Sequence, residues 1–307
     1  MGSSVGLISV TNSKQSLKDD ILNSLALIDY RWKSNVKSVI IKPNLCYYWN
    51  SSTGQTTDPR IVGAIIDVVR EKYGEVDIKI AEADASAMRT KHAFPVLGYT
   101  QLSEEKHVGL LNLSEDVLEE KTIKINGSQL TFKVPQALLQ SDLFINVPKL
   151  KLMRQTTITC AMKNLFGCIG TPRKVKYHSL LSEAIVGMNK FLIPHLTIVD
   201  GLVALGAHPV KLNLILSGTD AFSVDYIACK VMGYNPYKVK FLNLAKKEGV
   251  GDWTGIELRG ITDLTPYAKT FPKPGIKSSN WLWKVQFSFI KAYKAVSGDI
   301  IPPALEE

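Results

Sequence analysis

Five short apolar runs constrain this chain more than any other feature. They are "SVIIK" (38–42), "DIKIAEA" (77–83), "LFINV" (143–147), "LTIVDG" (196–201) and "LNLILSG" (212–218). Between them the hydrophobic period changes to that of a helix. Residues 59 to 73 carry Ile61, Ile65, Ile66, Val68 and Val69 and stop at Gly74, a C-cap residue. "GTDAFSVDYIACKVMG" (218–233) opens at Thr219 or Asp220 as N-cap and ends at Gly233. Buried strands alternating with helices predict an α/β fold, a mostly parallel sheet with flanking helices, in one body or two interlocked lobes. A hairpin is expected over 121–134, turning at Asn126-Gly127 as an edge excursion. Residues 1–260 are read as the α/β domain, and 261–307 as a proline-containing linker and C-terminal helix.

That last segment, "SSNWLWKVQFSFIKAYKAV" (278–296), is amphipathic. Lys284, Ser288 and Lys291 share a polar stripe, with Trp281, Val285, Phe289, Ala292 and Val296 opposite or beside it. It is expected to dock on its own domain or on a partner subunit in a homodimer. Peripheral membrane contact by 279–296 is the alternative.

With 307 residues the chain is long enough to bury a substantial core. No run of 18 apolar residues occurs, and "MGSSVGLISV" lacks the basic start and apolar region of a signal peptide, so a cytoplasmic protein is expected. Cys46, Cys160, Cys168 and Cys229 are too few and scattered for a disulfide framework. No C-x-x-C pair exists, so the chain's own cysteines encode neither a zinc ribbon nor an iron–sulfur cluster. The net charge of +9 suits an anionic partner. The lysines are spread along the chain without a recognition motif, so nucleic acid is not expected.

Chemistry concentrates at predicted strand ends, where open α/β sheets bind ligands. In "IKPNLCYYWNSSTGQTTDP" (41–59) a strand runs into Lys42 and Asn44, and Thr56, Thr57 and Asp58 open a helix at Pro59. Asp58 before proline is an N-cap, and the helix start beside Lys42 is an anion site. Neither a G-x-x-x-x-G-K-[ST] nor a G-x-G-x-x-G motif is present, so no familiar ATP or dinucleotide site is indicated. "VIIKPNL" (39–45) and "LFINVPKLK" (143–151) echo each other, as if two strand ends supplied lysines and asparagines, Lys149 among them, to one crevice. In "AEADAS" (81–86), Glu82 and Asp84 lie on one side of an extended chain and are the candidate ligands for a divalent metal.

"TITCAMKNLFGCIG" (157–170) sets Lys163 and Asn164 among apolar residues. If helical throughout, it holds Cys160 and Cys168 about 80° and roughly 12 Å apart, too far for a disulfide. A lysine inside an apolar helix costs several kcal/mol unless its tip reaches water or meets an anion. Gly167 and Gly170 permit close backbone approach, as near a ligand. Asp200, Asp220 and Asp225 each sit near a strand end, and Asp225 needs a partner, Lys163 or Lys149. His178 follows a basic loop and is a candidate acid–base group.

Taken in order, "IKPNL", "TTDP", "EAD", "INVPKLK", "TITCAMKNLFGCIG", His178, "TIVDGL", "GTDAFSVDYIACKVMG" and "EGVG" (248–251) resemble the family catalogued as domain of unknown function 362, over roughly residues 36 to 252. The resemblance implies an α/β protein. Many members carry an attached [4Fe–4S] ferredoxin-type module, whose cysteines this chain lacks. Members often show a histidine just after the "VPKLK" segment, where this chain has "LMRQTT" with Arg154. A more distant similarity is to the lactate racemase superfamily, in the strand–proline–helix start and the lysine-bearing glycine-rich segment.

The first expectation is an enzyme that binds a small carboxylate or phosphate at strand C-terminal ends. Lys42, Asn44, Thr56, Thr57 and Asp58 would hold the anion, and Lys149, Lys163 and Asn164 would line the opposite wall. Lys163 or His178 would be the acid–base group, oriented by Asp200 or Asp225, with Asp220 nearby. The second is a non-catalytic or electron-transfer accessory protein that works with an iron–sulfur partner.

Overall fold

A computed structural model describes residues 2–10 and 16–274; the amphipathic segment 278–296 lies outside them. A ten-stranded sheet forms the centre. Across it run Glu257–Gly260, Ser4–Ser9, Pro209–Gly218, Leu196–Leu205, Leu143–Asn146, Ser38–Lys42, Asp77–Glu82 and Gly109–Asn112. Of these eight, only Pro209–Gly218 opposes its neighbours, so the sheet is mostly parallel, as the apolar runs require. Lys149–Met153 pairs with the far part of Leu196–Leu205 and carries the short Thr157–Thr159 antiparallel to it.

Both faces of the sheet are covered. Val39 and Ile41 point into one core with helices Leu17–Leu27 and Pro59–Tyr73. Ile40 points into the other, with Ala161–Phe166, Leu181–Phe191, Ala221–Val231 and Lys240–Lys247. This alternation buries a strand on both sides, hence the continuous apolar runs.

Helix boundaries follow local rules. Asp58 caps Pro59–Tyr73 by accepting the Arg60 N–H at 2.9 Å, with proline at the first position and Gly74 (φ 69°) past the end. Asp220 caps Ala221–Val231 by accepting from the Ser223 N–H and hydroxyl, each at 2.7 Å.

Two expectations change. The hairpin is longer than read, Leu118–Ile125 paired with Ser128–Pro135 through Asn126 and Gly127 (φ 48° and 81°). It packs on the second core, where buried Phe132 lies 5.2 Å from the Tyr177 ring and 6.3 Å from Phe191. The stretch 157–170 is not one helix: Thr157–Thr159 is a strand, Cys160 is the N-cap residue, and only Ala161–Phe166 is helical.

Candidate functional site

Ser38–Lys42 and Leu143–Asn146 end side by side, with Lys42 in register with Asn146. The short helix Ala161–Phe166 lies over them, and Asn164 at its centre ties the strand ends together. Its Oδ1 accepts from Asn44 Nδ2 at 2.8 Å and from Lys42 Nζ at 3.3 Å. Its Nδ2 donates to Asn146 Oδ1 at 2.8 Å. Asn146 in turn donates to the Ala161 carbonyl at 3.2 Å. The lysine–asparagine echo in the sequence thus corresponds to neighbours in space.

The expected anion cradle is filled from within. Lys42 is fully buried and meets Glu82 Oε1 at 2.8 Å. Glu82 also accepts the N–H groups of Ala83 (3.0 Å) and Leu45 (2.9 Å). At the start of helix Pro59–Tyr73 the carboxylate of Asp200 accepts the Asp58 N–H at 2.7 Å, and the same oxygen takes Lys149 Nζ at 2.7 Å. Asp200 therefore occupies the place an anionic ligand was expected to take. Thr57 and Thr56 donate to the Val147 and Trp49 carbonyls at 2.8 and 2.7 Å, and Asp58 holds its own cap and the Arg60 guanidinium. Lys42, Lys149, Thr56, Thr57 and Asp58 are framework rather than open donors.

The expected metal pair has other partners. Glu82 is engaged as above, and Asp84 accepts the Thr90 N–H and hydroxyl, each at 2.9 Å, with Arg89 at 3.5 Å. Among the described residues no group of three or more His, Cys, Asp or Glu side chains gathers to hold a metal ion.

Asp225 finds neither lysine. Its oxygens accept the Ala161 and Met162 N–H groups at 2.5 and 3.1 Å, beneath the helix that carries Lys163. Burial pushes its carboxyl up to about 7, and the two N–H groups only moderate the rise. Asp220 is a helix cap. His178 is exposed on the 3-10 segment Lys174–Leu180, whereas Asp200 and Asp225 are fully buried and engaged elsewhere. The two glycines serve packing: a Cβ on Gly167 would come 3.4 Å from Lys42 Nζ, and one on Gly170 would strike Leu118 at 2.4 Å.

Three lysines of this region, Lys151, Lys163 and Lys174, have no carboxylate in direct contact among the described residues. Lys151 is buried, and its ammonium rests on Asn44 Oδ1 at 2.7 Å, the Gln55 carbonyl at 2.6 Å and Cys46 Sγ at 2.9 Å. Lys163 is half-buried, 5.8 Å from the centre of the Phe166 ring. Burial, and then the nearby charge of Lys151, lower its ammonium to about 8. Lys174 is buried with Nζ on the Asp84 carbonyl at 2.6 Å, and burial brings it also to about 8. Lys151 and Lys174 escaped the sequence reading. For Lys151 a signal existed: on a strand, the alternation in Lys149-Leu150-Lys151 puts both lysines on one side.

The sequence profile of a family described as a domain of unknown function, DUF362, matches residues 39–230. A thylakoid-associated protein of Synechocystis is 25% identical over 226 residues, 69% of this chain and 68% of that protein. Among solved structures, the lactate racemase apoprotein of Thermoanaerobacterium thermosaccharolyticum aligns with a TM-score of 0.43 and 14% identity. That alignment covers 72% of this chain and 56% of the racemase, so the chain spans little more than half of that protein's length.

Proposed function

The chain belongs to the DUF362 family, whose profile spans every residue of the site from Lys42 to Asp225, and on that premise we propose that it binds a small carboxylate or phosphate over the carboxyl ends of its parallel strands and uses Lys163 as an acid–base group. One observation carries this reading. In the strand-end cluster Lys42 and Lys149 are matched by Glu82 and Asp200, but Lys151 and Lys163 have no carboxylate partner among the described residues.

Burying a cation without a counter-charge costs several kcal/mol, so a surplus of this kind is kept where an anion arrives to complete it. Lys151 and Lys163 are the recognition pair. Lys151 is fixed by three contacts, while Lys163 has no hydrogen-bonded anchor among the described residues and reaches partial exposure. A lysine that titrates near 8 is mostly protonated at neutral pH, yet it gives up the proton more readily than an ordinary lysine, which suits an acid–base group. Lys163 takes this role in preference to His178, whose side chain is exposed.

Isothermal titration of the full chain with inorganic phosphate and a panel of mono- and dicarboxylates tests the reading. At least one of these is expected to bind the wild type, with Lys151→Gln and Lys163→Gln each weakening it about tenfold or more. Equal affinity in wild type and both variants would remove the proposal.

A further inference from the structure

Away from Lys163, a cavity of about 420 Å³ opens between the turn after strand Asp77–Glu82 and the segment that follows Gly170. Ser86 and Arg89 form one wall, and Thr171, Pro172, Arg173 and Lys176 the other. Three of its lining side chains are cationic and none is a carboxylate. We propose that this cavity is a second ligand site, independent of the function proposed above, and that it binds the phosphate group of a small phosphomonoester.

Hydrogen bonds within the chain hold the walls. Ser86 Oγ donates across the gap to the Pro172 carbonyl at 3.2 Å, and the Arg89 N–H donates to the Tyr48 hydroxyl at 2.7 Å. Lys174 turns inward beneath Arg173 and binds the Asp84 carbonyl at 2.6 Å, which joins the two walls from below. The acid on this side, Asp84, accepts from Thr90 and forms an ion pair with Arg89 at 3.5 Å. Arg173 and Lys176 line the opposite wall, and the lining as a whole is cationic.

Its chemistry selects a phosphate. Guanidinium forks match tetrahedral oxyanions in bidentate fashion, and a phosphomonoester brings close to two negative charges where a carboxylate brings one. The Thr171 hydroxyl oxygen is buried and has no hydrogen-bond partner, an unmet need that a ligand oxygen at this wall would satisfy. The volume exceeds what a bare anion fills, and Ala85 and Pro172 offer apolar surface for the ester's carbon skeleton.

The test is calorimetry on the full chain with inorganic phosphate and glycerol 3-phosphate, against acetate and chloride at matched ionic strength. One equivalent of the phosphomonoester is expected to bind, and more tightly than inorganic phosphate. Arg89→Gln and Lys176→Gln should each weaken it about tenfold or more, with Arg89→Lys between, because charge survives but the fork does not. Lys163→Gln should leave this binding within about twofold, which separates the site from the one proposed above. Lys176 is exposed, so its variant tests the site even if replacing Arg89 impairs folding. Phosphate compounds binding no better than acetate, or both Gln variants binding like the wild type, would overturn the assignment.

Discussion

Lys149 and Lys163 end in the same crowded region and are treated in opposite ways. Lys149 is wholly enclosed and shares one carboxylate oxygen with a helix N–H. Lys163, half-buried, has the Phe166 ring nearby and another lysine pressing on it. The first arrangement joins strand, loop and helix into one framework. The second stores an unmet charge. Whether a buried lysine is structural or poised for a ligand is therefore decided by its counter-ion, not by its depth.

Several measurements would break or sharpen this contrast. The largest effect is expected from Asp200→Ala, which strands Lys149 and the Asp58 N–H together. It should cost about 3–5 kcal/mol in urea unfolding, with Asp200→Leu/Lys149→Met recovering much of the loss. If Asp200→Ala unfolds like the wild type, the framework role is wrong. Next comes Asn164→Ala, which leaves Asn44, Asn146 and Lys42 short of partners and should cost about 2–3 kcal/mol.

Asp225 gives a pH signature. Its carboxyl titrates near 7 in the fold and near 3.8 in the unfolded chain. The native state therefore holds the proton over that window, and the contribution is full below about 4 and lost as pH rises to 7. The stability of wild type relative to Asp225→Asn should fall across this range; a flat difference contradicts the assignment. Lys163 runs the other way: its native value of about 8 lies below the ordinary 10.5. The unfolded chain binds the proton between those values, so wild type should gain stability relative to Lys163→Met as pH climbs from 8 to 10.5. At pH 7 that replacement should leave stability unchanged or raised, whereas anion binding is lost. The smallest effect belongs to Lys79→Ala, which breaks an exposed contact with Asp77 and should stay within about 0.5 kcal/mol.

The sequence rules worked where the cause is local. Asp58-Pro59 announces a capped helix, Asn126-Gly127 a tight turn, and unbroken apolar runs a sheet covered on both faces. They failed where the cause lies across the fold. Nothing near Asp58 reveals that Asp200, 142 residues later, fills the helix start. The short reach of helix Ala161–Phe166 was hidden because its flanks are equally apolar; Thr157–Thr159 pairs with Lys149–Met153 instead of continuing the helix. Glu82 and Asp84 share a side only while the chain stays extended, and the strand ends at Glu82.

Asn164 and Lys163 are adjacent on a helix of six residues. One is clamped to both strand ends, and the other is left open. The clamp sets where the amine starts, so under the proposed function an arriving anion would meet a group already located to within a side chain's swing. Little freedom of the main chain then remains to be surrendered when the anion arrives, and a tight grip on a very small molecule becomes attainable.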